Sequence, residues 1–119
     1  WIDPARVVCH LNDDETPKEA ERAGTTRSAI AIRRAALDGA IVVIGNAPTA
    51  LFELLALMRD GARPAAVFAF PVGFVGAAES KAALVASPPQ CPFATLKGRR
   101  GGSAMAGAAL NAAVAGGRL

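Results

Sequence analysis

The sequence predicts an α/β fold: three layers, a mostly parallel sheet flanked by helices, read as an incomplete domain. Three observations carry that reading. Short apolar runs alternate with stretches of helical periodicity along the whole chain. The strongest run, Ala40 to Ile44, is apolar without interruption, as expected of a central parallel strand buried on both faces. The Gly, Pro and Asn content is concentrated at three strand-to-helix junctions. In open parallel sheets such junctions gather outside the carboxyl ends of the strands, where ligands bind.

Taken in order, Arg6 to Cys9 is a short strand candidate. Asn12 to Gly24 is polar and charged, and reads as a loop with an irregular helical turn around Pro17 to Ala23. Thr25 or Thr26 caps a helix running to about Leu37, which Gly39 ends. After Ala40 to Ile44 comes Gly45-Asn46-Ala47-Pro48-Thr49, with Asn46 as an N-cap and Pro48 in the first turn of a helix. That helix covers Ala50 to Arg59, carries Leu51, Leu54, Leu55 and Met58 at helical spacing, and closes at Gly61. Ala65 to Phe70 is a second buried strand, followed by a turn over Val72 to Gly76 and a helix over Ala77 to Ala86. Pro88, Pro89 and Pro92 mark a rigid connection to a third strand at Phe93 to Leu96. A Gly-rich basic segment, Gly98 to Ser103, leads into a last Ala-rich helix ending near Ala115. No internal repeat or linker divides residues 1–119, which read as one domain.

Bulk composition narrows the function. The chain has 119 residues, 52% of them hydrophobic, enough for one modest core. Much of that content is alanine and there is no tyrosine, so the core is thin for the length. The net charge of +3 and pI near 9.4 come from scattered Arg and Lys, clustered only at Lys97, Arg99 and Arg100. Nucleic-acid binding would require a basic stripe with interleaved aromatics; a small polyanionic ligand fits better. The two cysteines, Cys9 and Cys91, show no metal-ligand spacing, and Cys9 reads as a buried structural thiol. No signal peptide opens the chain, and Asn46, Pro48 and Glu53 interrupt its nearest approach to a membrane span. A cytoplasmic protein with no membrane or nucleic-acid partner is the expectation. The opening Trp1-Ile2-Asp3-Pro4, without an initiator Met, reads as a fragment or processed chain.

Candidate site residues follow from the junctions, each with a plainer alternative. Gly45 to Thr49 sets free N–H groups and a partial positive charge at a helix start, suited to a carboxylate or phosphate, or is only a well-capped helix. Gly98 to Ser103 combines glycines that permit close backbone approach with arginine forks that match carboxylates, or is a flexible basic turn. Thr25-Thr26-Arg27-Ser28 places an arginine where a cation opposes the helix dipole, which suits an anionic ligand or a solvated side chain. Lys81, in Glu79-Ser80-Lys81, either points at the same region or lies exposed; the residues alone favour exposure. His10, the only histidine, reads as a surface residue beside Asp13, Asp14 and Glu15, with no catalytic or metal constellation around it.

Four of these segments, in order and in register, carry a family resemblance covering nearly the whole chain from about Val7. They are T-R-S-A at Thr26 to Ala29, I-V-V-I-G-N-A-P-T-A-L-F-E-L-L at Ile41 to Leu55, P-V-G-F-V-G-A-A-E-S-K at Pro71 to Lys81, and G-R-R-G-G-S-A-M at Gly98 to Met105. Together they resemble the C-terminal portion of the precorrin-8X methylmutases. The resemblance implies an α/β homodimer that moves a methyl group between adjacent ring carbons of precorrin-8X, giving hydrogenobyrinate in cobalamin (corrin) biosynthesis. Members of the cobalt-early route act on cobalt-precorrin-8, and no organic cofactor or metal is implied. It further implies substrate contacts from Arg27, Ser28 and Lys81, then from Arg99, the backbone of Gly101 and Gly102, and Ser103. Asn46 and Thr49 would shape the pocket floor.

One departure has consequences. The family's proposed acid–base histidine belongs to an R-M-(V/I)-H motif in its N-terminal portion, a motif missing here, and His10 stands elsewhere. A catalytic residue is therefore unassigned, and the expectation is a methylmutase chain that does not turn over alone. The alternative is a non-catalytic fragment that binds a tetrapyrrole or other polycarboxylate. A third reading is a truncated product with an exposed apolar sheet edge that favours association.

Overall fold

Parallel strands joined by helical crossovers form the frame of the computed structural model, which describes residues 2–116. The helices are α1 (Glu15–Ala23), α2 (Arg27–Arg34), α3 (Pro48–Arg59), α4 (Ala77–Ala86) and α5 (Ser103–Gly116). The strands are β1 (Ile41–Ile44), β2 (Ala66–Ala69) and β3 (Phe93–Thr95), in the order β1-β2-β3 and parallel throughout. Register pairs Ile44 with Ala69 and Ala69 with Thr95, so the three strands end level with one another. Val42, Ile44, Val67 and Ala69 pack against Leu51, Leu54 and Leu55 of α3 and Leu84 of α4. Helix α5 touches β1 and β2 but adds nothing to that cluster, which places it against the opposite face. The α/β three-layer expectation holds.

Several local expectations do not. Arg6 to Cys9 is not a strand: a 3-10 turn at Pro4–Arg6 gives way to residues without ladder partners, and Val7, Val8 and Cys9 are exposed. Apolar extended backbone becomes a strand only where a neighbour supplies hydrogen bonds. Conversely, residues 15–23 form a regular helix, because Pro17 falls in the first turn where its missing N–H has no cost, and Thr16 and Ala20 bury one face. Helix α2 stops at Arg34, where Ala35 turns extended at φ −76° and ψ 147°. The strand β1 is covered on one face only: Val42 and Ile44 are buried, whereas Ile41 is 52% and Val43 39% exposed, because the small side chains of α5 screen that face incompletely.

Two glycines permit the approaches on which the frame closes. A Cβ on Gly101 would lie 2.1 Å from the Phe70 carbonyl oxygen and 2.5 Å from that of Pro71. One on Gly45 would meet Ser103 at 2.7 Å from Oγ and 2.9 Å from Cα. Because these obstacles are chiefly backbone, Gly101→Ala is expected to destabilise by about 1–3 kcal/mol or more. In contrast, Gly107→Ala, inside α5 with nothing within 4 Å of its Cβ position, should stabilise by about 0.5–1 kcal/mol. Thermal unfolding of the two variants beside the native chain checks both signs.

Candidate functional site in the crossover loops

At the carboxyl ends of the strands the crossover loops are fastened to one another by backbone bonds. Val72 N–H donates to the Asn46 carbonyl at 3.2 Å, Gly102 N–H to Phe70 at 2.8 Å, and Gly73 N–H to Arg99 at 3.1 Å. These bonds bring the loop after β3 across the end of β2 and beside the loop after β1. Asn46 Oδ1 lies 3.8 Å from the Cβ position of Gly102, and Ser103 abuts Gly45. The starts of α3 and α4 also meet, since a Cβ on Gly76 would be 3.1 Å from Pro48. Thr26, the side-chain N-cap of α2, exchanges a hydroxyl hydrogen bond of 2.7 Å with Thr49. Four helix N-termini therefore gather at one end of the sheet, each contributing partial positive charge.

Of the residues singled out from the sequence, Asn46, Lys81, Arg99, Gly101, Gly102 and Ser103 come together here. Arg27 and Ser28 join them through the Thr26–Thr49 contact. Three details differ from expectation. Ala47, not Asn46, is the N-cap of α3 and makes no side-chain cap bond, which leaves Asn46 exposed beside Gly102. The Gly102 N–H is engaged by Phe70, so this glycine serves close approach rather than anion binding. Lys81 is 1% exposed, not a surface residue, and its ammonium donates to the Arg100 carbonyl at 2.6 Å. It lies where α4 meets β3 and the loop that follows it.

Charge is unbalanced around this cluster. Among the described residues Arg27, Lys81, Lys97, Arg99 and Arg100 have no carboxylate partner, as is also true of Arg6, Arg22, Arg59 and Arg63 elsewhere, whereas Arg33 and Arg34 on α2 are paired with Glu53, Glu19 and Asp13. Helix dipoles and unpaired cations together favour a ligand with several carboxylates. Phe74, 83% exposed, stands under the Arg99 guanidinium with 5.2 Å to its ring centroid. That aromatic was not among the sequence candidates; its position between Gly73 and Gly76 in an otherwise apolar turn was the available signal.

His10 lies elsewhere. Its Nδ1 contacts Asp13 at 2.7 Å, and Asp13 reaches Arg34 at the far end of α2 from Arg27. A shallow cavity of about 430 Å³ lined by Ala35, Leu37, Leu57 and Gly61 is also at the far end of α3. A second, of about 400 Å³, adjoins the cluster between α4 and the loop after β3, lined by Lys81, Val85, Thr95 and Lys97. No group of acidic, His and Cys side chains able to hold a metal occurs among the described residues. No described helix is long and apolar enough to cross a membrane.

The family model described as precorrin-8X methylmutase matches residues 3–115. The chain belongs to the precorrin-8X methylmutase family. It is 56% identical over 110 residues to the Pseudomonas aeruginosa precorrin-8X methylmutase, covering 90% of this chain and 53% of that protein. It is 49% identical over 109 residues to the Priestia megaterium cobalt-precorrin-8 methylmutase, covering 89% and 48%. A solved precorrin-8X methylmutase from Thermus thermophilus superposes with a TM-score of 0.75 at 45% identity, covering 86% of this chain and 50% of that one. The chain thus spans about half the length of the methylmutases it matches.

Within this methylmutase chain the buried lysine is titratable in a specific direction. Burial pushes the Lys81 ammonium below its ordinary value of 10.5. The unfolded chain then binds more protons between the depressed value and 10.5, so native stability rises with pH across that alkaline window. Lys81→Met, freed of the buried charge, is expected to melt at or above the native temperature at neutral pH. Its advantage should narrow as pH rises towards 10.5, as followed by thermal unfolding at a series of pH values.

Proposed function

We propose that this chain supplies the carboxylate-binding part of a cobalamin-pathway isomerase. The reaction is migration of a methyl group between adjacent ring carbons, converting precorrin-8X, or its cobalt form, to hydrogenobyrinate or its cobalt counterpart. The carrying observation is the joining of the loops that hold Asn46, Arg99 and Arg100 beside helix N-termini at the carboxyl ends of the strands, in a chain matching the family over residues 3–115. The substrate bears acetate and propionate carboxylates on a broad ring. In this reading Arg27 and Arg99 take carboxylates, Ser28 and Ser103 add hydroxyl donors, and Asn46 and Thr49 line the floor. Phe74 offers an apolar face for the macrocycle. Isomerisation by this family needs no organic cofactor in this reading, and the full-length form acts as a homodimer.

Methyl migration on such a ring calls for a proton donor at the reacting carbon. His10, tied to Asp13 at the other end of α2, does not reach the loops. The donor therefore comes from another segment of the family's length, and this chain alone binds without converting. Titration of the chain with hydrogenobyrinate, followed by its absorbance, tests binding. Arg27→Ala and Arg99→Ala should each weaken it by about tenfold to a hundredfold, the loss of one charge-assisted hydrogen bond. Arg59→Ala, at the opposite end of α3, should leave it unchanged. Absence of binding by the native chain would overturn the proposal.

A further inference from the structure

The loop Gly98 to Gly102 carries Arg99 and Arg100, and both ends of it are glycines at positive φ, 90° and 112°. Such a segment has little conformational preference of its own and takes its shape from external bonds. Four are present: Gly73 N–H to the Arg99 carbonyl, Lys81 Nζ to the Arg100 carbonyl, Gly102 N–H to the Phe70 carbonyl, and Ala106 N–H to the Gly102 carbonyl. Only the second comes from a side chain, and it is the shortest, at 2.6 Å.

A lysine is an expensive way to fill that position. The residue is 1% exposed and its ammonium has no carboxylate partner among the described residues, and an apolar side chain of similar volume would remove the desolvation cost. Lys81 borders the cavity between α4 and the loop after β3, but its ammonium is given to the Arg100 carbonyl. Its one polar contact is the loop. We infer that Lys81 is a positioning residue, pinning the Arg100 carbonyl so that the arginine loop is held in the shape that receives a ring carboxylate. This inference rests on the proposed carboxylate site, and replaces direct contact by Lys81 with action through the loop.

Limited trypsin digestion reads the pin without any ligand, because the bonds after Arg99 and Arg100 lie in the loop. In Lys81→Met, first cleavage there is expected to accelerate about tenfold or more, while cleavage after Arg59 keeps its native rate. Lys81→Arg, which retains a cationic donor, should restore protection in part. Hydrogenobyrinate should bind Lys81→Met about tenfold more weakly than the native chain. If the methionine variant does not fold, Lys81→Gln takes its place. An unchanged loop cleavage rate overturns the inference, as does faster cleavage with undiminished binding in a chain that binds. Failure of the native chain to bind hydrogenobyrinate overturns the proposed site instead, and the proteolysis still decides whether Lys81 pins the loop.

Discussion

Where the Gly101 backbone lies against the carbonyls of Phe70 and Pro71, no side chain of any size fits. That approach lets Gly102 donate to Phe70 and so carries the loop after β3 over the end of β2. With the loop in place, Ser103 arrives beside Gly45 and α5 starts against β1. Shift this contact by the width of a methyl group, and Asn46, Arg99 and the start of α5 would no longer share one surface. The thin core sets no comparable constraint on the loops, since the Leu and Val side chains of α3, β1 and β2 lie below them.

The electrostatic character of the surface follows from this packing. Arginines on the flank of α2 are neutralised locally by Glu53, Glu19 and Asp13, whereas the cations near the strand ends are not. The same end collects helix N-termini, whose dipoles add to these cations, although Glu79 in the first turn of α4 opposes them. An arrangement of that kind costs stability in the empty protein and is relieved by a polyanion. The buried ammonium of Lys81 belongs to the same imbalance, although it acts on the loop and not on solvent.

Much of the frame was legible because period and punctuation agree locally. The helix over Ala77 to Ala86 and the strands near Ala40, Ala65 and Phe93 lie where the apolar runs and the Gly and Pro residues place them. Misreadings arose wherever a tertiary neighbour decides. Val7 to Cys9 has strand composition but no ladder partner, and β1 reads as doubly buried although α5 leaves Ile41 and Val43 open. In the site, residue types and spacing pointed to Arg27, Asn46 and the Gly98 to Ser103 segment. They did not reveal that Lys81 is enclosed, because burial of a lysine depends on α4 meeting a loop nineteen positions away. Phe74 escaped notice for a similar reason: its pairing with Arg99 exists only once the two loops are joined.

In the proposed division of labour, this chain binds the ring carboxylates and another segment of the family's length supplies the proton. Absorbance of precorrin-8X mixed with the purified chain tests it most directly, with and without a polypeptide carrying the remaining half of a methylmutase relative. Binding without conversion by the chain alone, and appearance of the hydrogenobyrinate spectrum once the second polypeptide is added, is the expected result. Conversion by the chain alone would contradict it, and would place the proton donor within these residues.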